Sequence, residues 1–115
     1  MLHTLDLGRT QVTDAGLARL GEYCKALKKL DINGLAISDA GLVSLAERCQ
    51  TLTSVNVSCS NITDTGALTL AKLCPRLRSL NLSNNDVTRE GVARLREAYP
   101  SLTVIRDSAA AHQFR

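Results

Sequence analysis

The sequence predicts one α/β domain, a right-handed solenoid with parallel strands on its concave face and helices on its convex face. Three observations lead to this prediction. Apolar residues recur every 25 positions, short alternating segments typical of strands repeat in phase with them, and each is followed by apolar residues at helical spacing. Such a period is typical of repeat proteins, whose strand-and-helix units bury their apolar sides against their neighbours.

Five segments share the strand pattern. The predicted core columns are Leu2, Leu27, Leu52, Leu77 and Leu102, then Leu5, Leu30, Val55, Leu80 and Ile105, then Leu7, Ile32, Val57 and Leu82. Because side chains alternate across a strand, the intervening residues are predicted to face outward on the concave side. Right-handed crossovers between units make the strands parallel and place the helices behind them.

Each of the first four strands is followed by an in-phase signal for the start of a helix. The signals are Thr13-Asp14, Ser38-Asp39, Thr63-Asp64 and Thr88-Arg89. The hydroxyl can accept a hydrogen bond from the first turn, and an Asp is favoured by the helix dipole. A glycine recurs shortly afterwards, as Gly16, Gly41, Gly66 and Gly91. Since glycine costs stability in a helix, this recurrence predicts close packing of the turn against the neighbouring repeat.

These elements define a domain of residues 1–107 and a tail of residues 108–115. The repeats span 2–26, 27–51, 52–76 and 77–101, with a partial fifth at 102–107. We expect the tail to be disordered, or alternatively to use Phe114 as an anchor. Leu2, Leu5 and Leu7 form an apolar edge strand without a polar cap, so we expect either a fragment or an edge that docks into an assembly.

The fourth repeat carries the motif of a known family. It reads Leu77-x-x-Leu80-x-Leu82-x-x-Asn85-x-Val87, which resembles the leucine-rich-repeat pattern, and the resemblance covers residues 2–107. The continuation from Ile62-Thr63-Asp64 to Cys74-Pro75 resembles the cysteine-containing subtype of F-box leucine-rich-repeat (ribonuclease-inhibitor-like) proteins. That subtype has about 26 residues per repeat and a Cys or Asn after the strand. Here the corresponding residues are Thr10, Leu35, Ser60 and Asn85.

The resemblance implies a non-catalytic scaffold for protein–protein interaction, a small subunit or segment of a larger multiprotein assembly. One alternative is the substrate-recognition part of an F-box-type ubiquitin ligase. Its F-box would be a separate helical segment, for which we expect no room before Leu2. A second alternative is an RNA-associated protein that uses the basic C-terminal half of the chain.

The candidate partner-binding surface is the concave face. Its predicted residues are Asp6, Lys29, Asp31, Asn33, Ser54, Asn56, Ser79, Asn81 and Arg106, with Val104 beside the last. The centre column changes from acidic at Asp6 and Asp31, through two asparagines, to basic at Arg106. We expect this face, together with the edge formed by Leu2, Leu5 and Leu7, to receive the partner. The alternative is that small polar residues merely keep an exposed sheet soluble.

Charge and composition limit the remaining classes. Residues before Lys72 carry six Lys or Arg and seven acids, and residues from Lys72 onward carry eight and four. Only Tyr23, Tyr99 and Phe114 could stack on bases, which argues against nucleic-acid binding and for a solvated charged face. Neither a membrane-length apolar run nor a targeting signal is visible, so we predict an intracellular, cytoplasmic protein without membrane contact.

The cysteines and histidines indicate no catalytic, metal or cofactor site. Cys24, Cys49 and Cys74 share one repeat position, which Tyr99 takes in the fourth repeat. The shared position predicts a ladder of thiols near the helix ends. We expect these thiols to be free, because a linear ladder cannot surround a metal ion tetrahedrally and an intracellular setting disfavours disulfides. Cys59 is predicted to be accessible. His3 and His112 lie at opposite ends of the chain, and no nucleophile elbow or phosphate-binding loop occurs.

Overall fold

Within residues 2–106, which the computed structural model describes, five short strands alternate with four ten-residue helices. The elements are β1 (Thr4–Asp6), α1 (Asp14–Tyr23), β2 (Lys29–Asp31), α2 (Asp39–Arg48), β3 (Ser54–Asn56), α3 (Asp64–Leu73), β4 (Ser79–Asn81), α4 (Arg89–Ala98) and β5 (Thr103–Ile105). The predicted tail at 108–115, including its anchor Phe114, lies outside the described residues. In the described part, no helix has the length and apolar character needed to cross a membrane.

The strands form one parallel sheet in the order β1-β2-β3-β4-β5. Along the centre of the first four strands, Leu5 pairs with Leu30, Leu30 with Val55, and Val55 with Leu80. Each pair is separated by one repeat, so the predicted α/β solenoid is confirmed.

The core is one continuous layer between the sheet and the helices. Each helix contributes a leucine that is completely buried, namely Leu17, Leu42, Leu70 and Leu95. The predicted edge strand is less covered. Within the described residues β1 has a neighbouring strand on one side only, so Leu5 and Leu7 are half-buried and Leu2 is 49% exposed.

The fifth strand departs from the 25-residue period. Leu80 pairs with Val104, and Asn81 pairs with Ile105. The prediction that Ile105 continues the core column and Val104 faces the concave side is therefore wrong. Val104 is 6% exposed and points into the core, whereas Ile105 is 39% exposed.

The cause is a shorter entry into β5. In the preceding repeat the N–H groups of Arg78 and Ser79 both donate to the carbonyl of Thr53, at 2.8 and 3.1 Å. The N–H groups of Lys28 and Lys29 share the carbonyl of His3 in the same way, and those of Thr53 and Ser54 share the carbonyl of Lys28. Before β5 only the N–H of Thr103 donates to the carbonyl of Arg78, at 2.8 Å. One residue fewer therefore separates Leu102 from the next core residue.

The helices begin where they were predicted to begin. The N-cap residues Thr13, Ser38, Thr63 and Thr88 all have extended backbone. The predicted capping hydrogen bond is present at Thr88, whose Oγ1 accepts from the N–H of Gly91 at 3.1 Å. It is absent at the other three. The hydroxyls of Ser38 and Thr63 instead donate to an Asp in the preceding repeat.

Each of these aspartates connects two successive repeats. Asp14 accepts from the N–H of Ser38 at 2.8 Å and from its hydroxyl at 2.6 Å. Asp39 binds Thr63, and Asp64 binds Thr88, in the same two ways. The first helical residue of one repeat thus holds the N-cap of the next. Sequence reasoning assigned these carboxylates only to the dipole of their own helix.

The recurring glycine leaves the space that these aspartates occupy. A Cβ atom on Gly41 would lie 2.2 Å from Oδ1 of Asp14, and one on Gly66 would lie 2.1 Å from Oδ1 of Asp39. Gly91 has the same relation to the aspartate of the third helix. The predicted close packing of this turn is confirmed at these three glycines.

Candidate functional site

The outward side chains of the five strands form the concave face. The first column holds Thr4, Lys29, Ser54, Ser79 and Thr103, and the centre column holds Asp6, Asp31, Asn56, Asn81 and Ile105. All of these residues are exposed or half-buried. Because adjacent strands lie about 4.8 Å apart, each column is a regular row of side chains across the sheet. In the first four strands these side chains face outward in the predicted rows, and their role in binding a partner stays a prediction.

The centre column also has a structural role that sequence reasoning missed. In each of the first four repeats, Oδ1 of the Asp or Asn accepts the N–H two residues further on, at 2.9 to 3.1 Å. The acceptors are Asp6, Asp31, Asn56 and Asn81. Asx turns of this kind help to end a strand and redirect the chain. The recurrence of Asp or Asn at the end of each of the first four strands was the available signal.

A shallow depression lies at the N-terminal half of this face. It has a volume of about 280 Å³ and is lined by polar side chains above Leu5 and Leu30. Its charged residues are Asp6, Lys29 and Asp31. Each carboxylate has a second oxygen beyond the one used in the turn, so the depression offers acceptors for two hydrogen bonds from a partner, as well as the Lys29 ammonium as a donor.

Arg106 does not lie on the concave face, and its predicted placement is wrong. Since Asn81 pairs with Ile105, Arg106 takes the repeat position of Leu82, which points toward the helices. Its Nε donates to the carbonyl of Val87 at 2.7 Å. The centre column therefore changes from acidic to neutral to apolar, and it ends at Ile105. Asn33 is half-buried beside Asp31, to which its N–H donates.

The predicted thiol ladder is confirmed. Cys24, Cys49 and Cys74 are the C-caps of the first three helices, and Tyr99 is the C-cap of the fourth. The thiol of Cys49 donates to the carbonyl of Cys24 at 3.0 Å, and that of Cys74 to the carbonyl of Cys49 at 3.7 Å. Burial raises the pKa of Cys49, and it raises the pKa of Cys74 to about 11. In residues 2–106 no three His, Cys, Asp or Glu side chains are grouped as metal ligands.

We expect the thiols to differ sharply in reactivity. Cys59 is exposed, whereas Cys49 and Cys74 are buried. At pH 8, Ellman's reagent should modify the exposed Cys59 within minutes. It should reach Cys74 only as fast as the protein unfolds, because that thiol is buried, and its pKa of about 11 also keeps it protonated and unreactive. Cys59→Ser should remove the fast phase. A fast phase that persists in this variant would show that another thiol is the reactive one.

Comparisons with known proteins agree with this architecture. The family model described as "Leucine Rich repeat" matches residues 1–21, 23–46, 48–71 and 74–95. The structure of leiomodin-1 actin-binding site 2 is similar with a TM-score of 0.71 and 16% identity, over 96% of this chain and 74% of that chain. An internalin (InlF) from Listeria monocytogenes is similar with a TM-score of 0.56 and 20% identity, over 90% of this chain and 34% of that chain.

At these identities the two structures are evidence of the fold alone. No curated protein sequence matches the chain. The F-box-like cysteine-containing subtype stays a prediction. The four matched segments cover most of the sequence and coincide with the repeats of the sheet and helix layers, so the chain belongs to the leucine-rich-repeat family.

Proposed function

We propose that this protein is a non-catalytic interaction module, a small subunit or segment of a larger assembly, that binds a protein partner through its concave face. The open five-stranded face carries this proposal, because polar and charged side chains stand on it in regular rows above a buried apolar core. Solenoids of this kind commonly bind their partners on the concave side.

The geometry of the centre column supports the proposal. Hydrogen bonds to the following turn hold Asp31 and Asn56 in one orientation each, at 3.1 Å. Side chains that are already ordered lose less conformational entropy when a partner binds, so these groups are suited to recognition. The charges of Asp6, Lys29 and Asp31 favour a polar partner surface at the N-terminal half, and Ile105 favours an apolar side chain at the other end.

The leiomodin-1 structure carries an actin-binding site in its name, and it supports a protein-binding role for this fold. Actin is therefore the first defined protein to test. We include in the proposal a second contact at the edge of β1, where Leu2 is 49% exposed. An intracellular, cytoplasmic location is also part of the proposal, and the four free thiols fit a reducing compartment.

The test is a double substitution on the concave face, Lys29→Glu with Asp31→Asn. Asn can accept the same turn hydrogen bond as Asp31, as Asn56 does, so the fold should be kept while the charge pattern changes. We expect the dissociation constant for the partner to rise by at least about tenfold, which corresponds to about 1.4 kcal/mol. The partner is identified by quantitative affinity capture, and its affinity is then measured by calorimetry. Actin cosedimentation is run in parallel.

Lys72→Gln is the matched control, because it lowers the net charge by one unit, as the double substitution does, at an exposed position on α3. It should change the affinity less than about twofold. Equal binding by the concave variant and the wild-type protein would contradict the proposal. Capture of ubiquitin-ligase core components would favour substrate recognition by an F-box-type ligase. Capture of RNA with few proteins would favour the RNA-associated alternative.

A further inference from the structure

A second polar site lies in the helix layer at α4. A cleft of about 270 Å³ is lined by Arg89, Val92, Arg96 and Arg106. Among the described residues that line it, three carry a guanidinium group and none is acidic. We call this site the arginine cleft. Like charges gathered around one cleft repel each other, so the arrangement is one that an anion would stabilise.

Two of the three guanidinium groups are held in place by the backbone. Nη2 of Arg96 donates to the carbonyl of Val104 at 3.2 Å, and Nε of Arg106 donates to the carbonyl of Val87 at 2.7 Å. A guanidinium has five N–H donors, so each group keeps further donors after these contacts. The side chains are thus oriented before any ligand binds, which lowers the entropic cost of binding.

The repeat pattern gives an independent reason to expect that the arginine cleft binds a ligand with hydrogen-bond acceptors. At the first helical position, α1, α2 and α3 have Asp14, Asp39 and Asp64, and each of these carboxylates accepts two hydrogen bonds from the adjacent repeat. In α4 the same position is Arg89. This side of α4 therefore presents donors where the corresponding sides of the other helices present acceptors.

We propose that the arginine cleft binds a phosphoryl group, presented by a phosphorylated side chain of a partner protein. A carboxylate engages one guanidinium with two parallel hydrogen bonds. A phosphoryl group has three terminal oxygens and a charge of about −2, so it can bind all three arginines at once. The number and the positive charge of the donors therefore match a phosphoryl group better than a carboxylate.

The cleft fits a protein-borne phosphoryl group better than a nucleic-acid strand. RNA recognition combines a basic track along several phosphates with aromatic side chains that stack on bases. Only arginines and Val92 line the cleft among the described residues, and Arg76, Arg78 and Arg94 do not contribute to it. The three guanidinium groups of Arg89, Arg96 and Arg106 thus meet at one cleft, as a single phosphoryl group requires.

The test is an NMR titration of ¹⁵N-labelled protein that follows the arginine Nε–H signals. The probes are inorganic phosphate, a phosphoserine peptide, the same peptide with serine, and the same peptide with glutamate. We expect phosphate and the phosphopeptide to shift the signals of Arg89, Arg96 and Arg106, and the phosphopeptide to bind at least about tenfold more tightly than the glutamate peptide. Tighter binding of the phosphopeptide than of phosphate identifies a polypeptide source, whereas equal binding identifies a free phosphate compound.

Two substitutions make the test specific. Arg89→Gln should weaken phosphopeptide binding by at least about tenfold, and Arg94→Gln, which removes the same charge elsewhere on α4, should weaken it by less than about twofold. Equal losses in the two variants would overturn the proposal, as would unmoved arginine signals or tighter binding of an RNA oligonucleotide than of the phosphopeptide. The concave double variant, Lys29→Glu with Asp31→Asn, should bind the phosphopeptide normally, so this result is independent of the proposed function.

Discussion

Replacing Gly66 with alanine is expected to lower the free energy of unfolding by about 3 kcal/mol, although alanine is the better helix former by about 1 kcal/mol. The added Cβ would lie 2.1 Å from Oδ1 and 2.4 Å from Cγ of Asp39. Relief of this clash requires Asp39 to leave its two hydrogen bonds to Thr63. Overpacking and the loss of the contact between two repeats therefore add together, and urea unfolding measures their sum.

Gly16→Ala is the matched control. Gly16 has the same position in the first described repeat, but there a Cβ would meet only Val12, with its nearest atom, Cγ1, at 3.0 Å. We expect a change of less than about 1 kcal/mol in either direction. Asp39→Ala should also reduce the cost of Gly66→Ala to less than half, because it removes the atoms that clash. Equal costs for Gly16→Ala and Gly66→Ala would show that the contact with Asp39 is not the cause.

The glycine column illustrates what the sequence could predict. Self-similarity at 25 residues aligned Gly41, Gly66 and Gly91, and the cost of glycine in a helix implied a close neighbour. The identity of that neighbour could not be predicted, because an Asp at the first helical position has a sufficient local explanation in the helix dipole. Its contact with the next repeat depends on the distance between two helices, which the period does not specify.

The fifth strand illustrates a limit of periodicity. Val104 and Ile105 are both apolar β-branched residues, so either could have continued the core column. Which of the two enters the core depends on whether one N–H group or two donate to the carbonyl at the start of the strand. No residue type encodes that difference. The error moved Arg106 to the wrong face, and for this reason sequence reasoning also missed the arginine cleft.

The loops after the strands were equally hard to predict. The same repeat position has a left-handed backbone with φ near 60°, at Arg9 and Cys59 as well as at Asn84, and at Gly34 with φ 70°. Glycine and asparagine indicate such a conformation, but arginine and cysteine do not. The concave rows could be predicted because alternation along a strand is a local property, whereas this turn is imposed by the strands on either side of it.

Asn85→Asp is expected to lower the free energy of unfolding by about 3 kcal/mol or more, and it is the sharpest test of how the last complete repeat is held. Nδ2 of Asn85 donates to the carbonyls of Val57, Leu82 and Ser83 at 2.8, 3.3 and 3.2 Å, and its Oδ1 accepts from the N–H of Ile62 at 2.8 Å. Aspartate keeps the acceptor but replaces the donor with a charged oxygen facing three carbonyl oxygens. The half-buried site removes water that would screen this repulsion, and urea unfolding at neutral pH measures the loss.

Asn81→Asp makes the identical chemical change four residues earlier and should cost less than about 0.5 kcal/mol. Its Oδ1 accepts the N–H of Ser83 at 3.0 Å, a role that Asp6 and Asp31 already perform in the first two repeats. Aspartate is thus already tolerated at the position of Asn81 in two other repeats. At Asn85, by contrast, aspartate lacks the Nδ2 donor that binds the carbonyl of Val57 and so joins two repeats. Similar losses in the two variants would mean that added negative charge alone destabilises this end of the sheet, and that the hydrogen bonds of Asn85 contribute little.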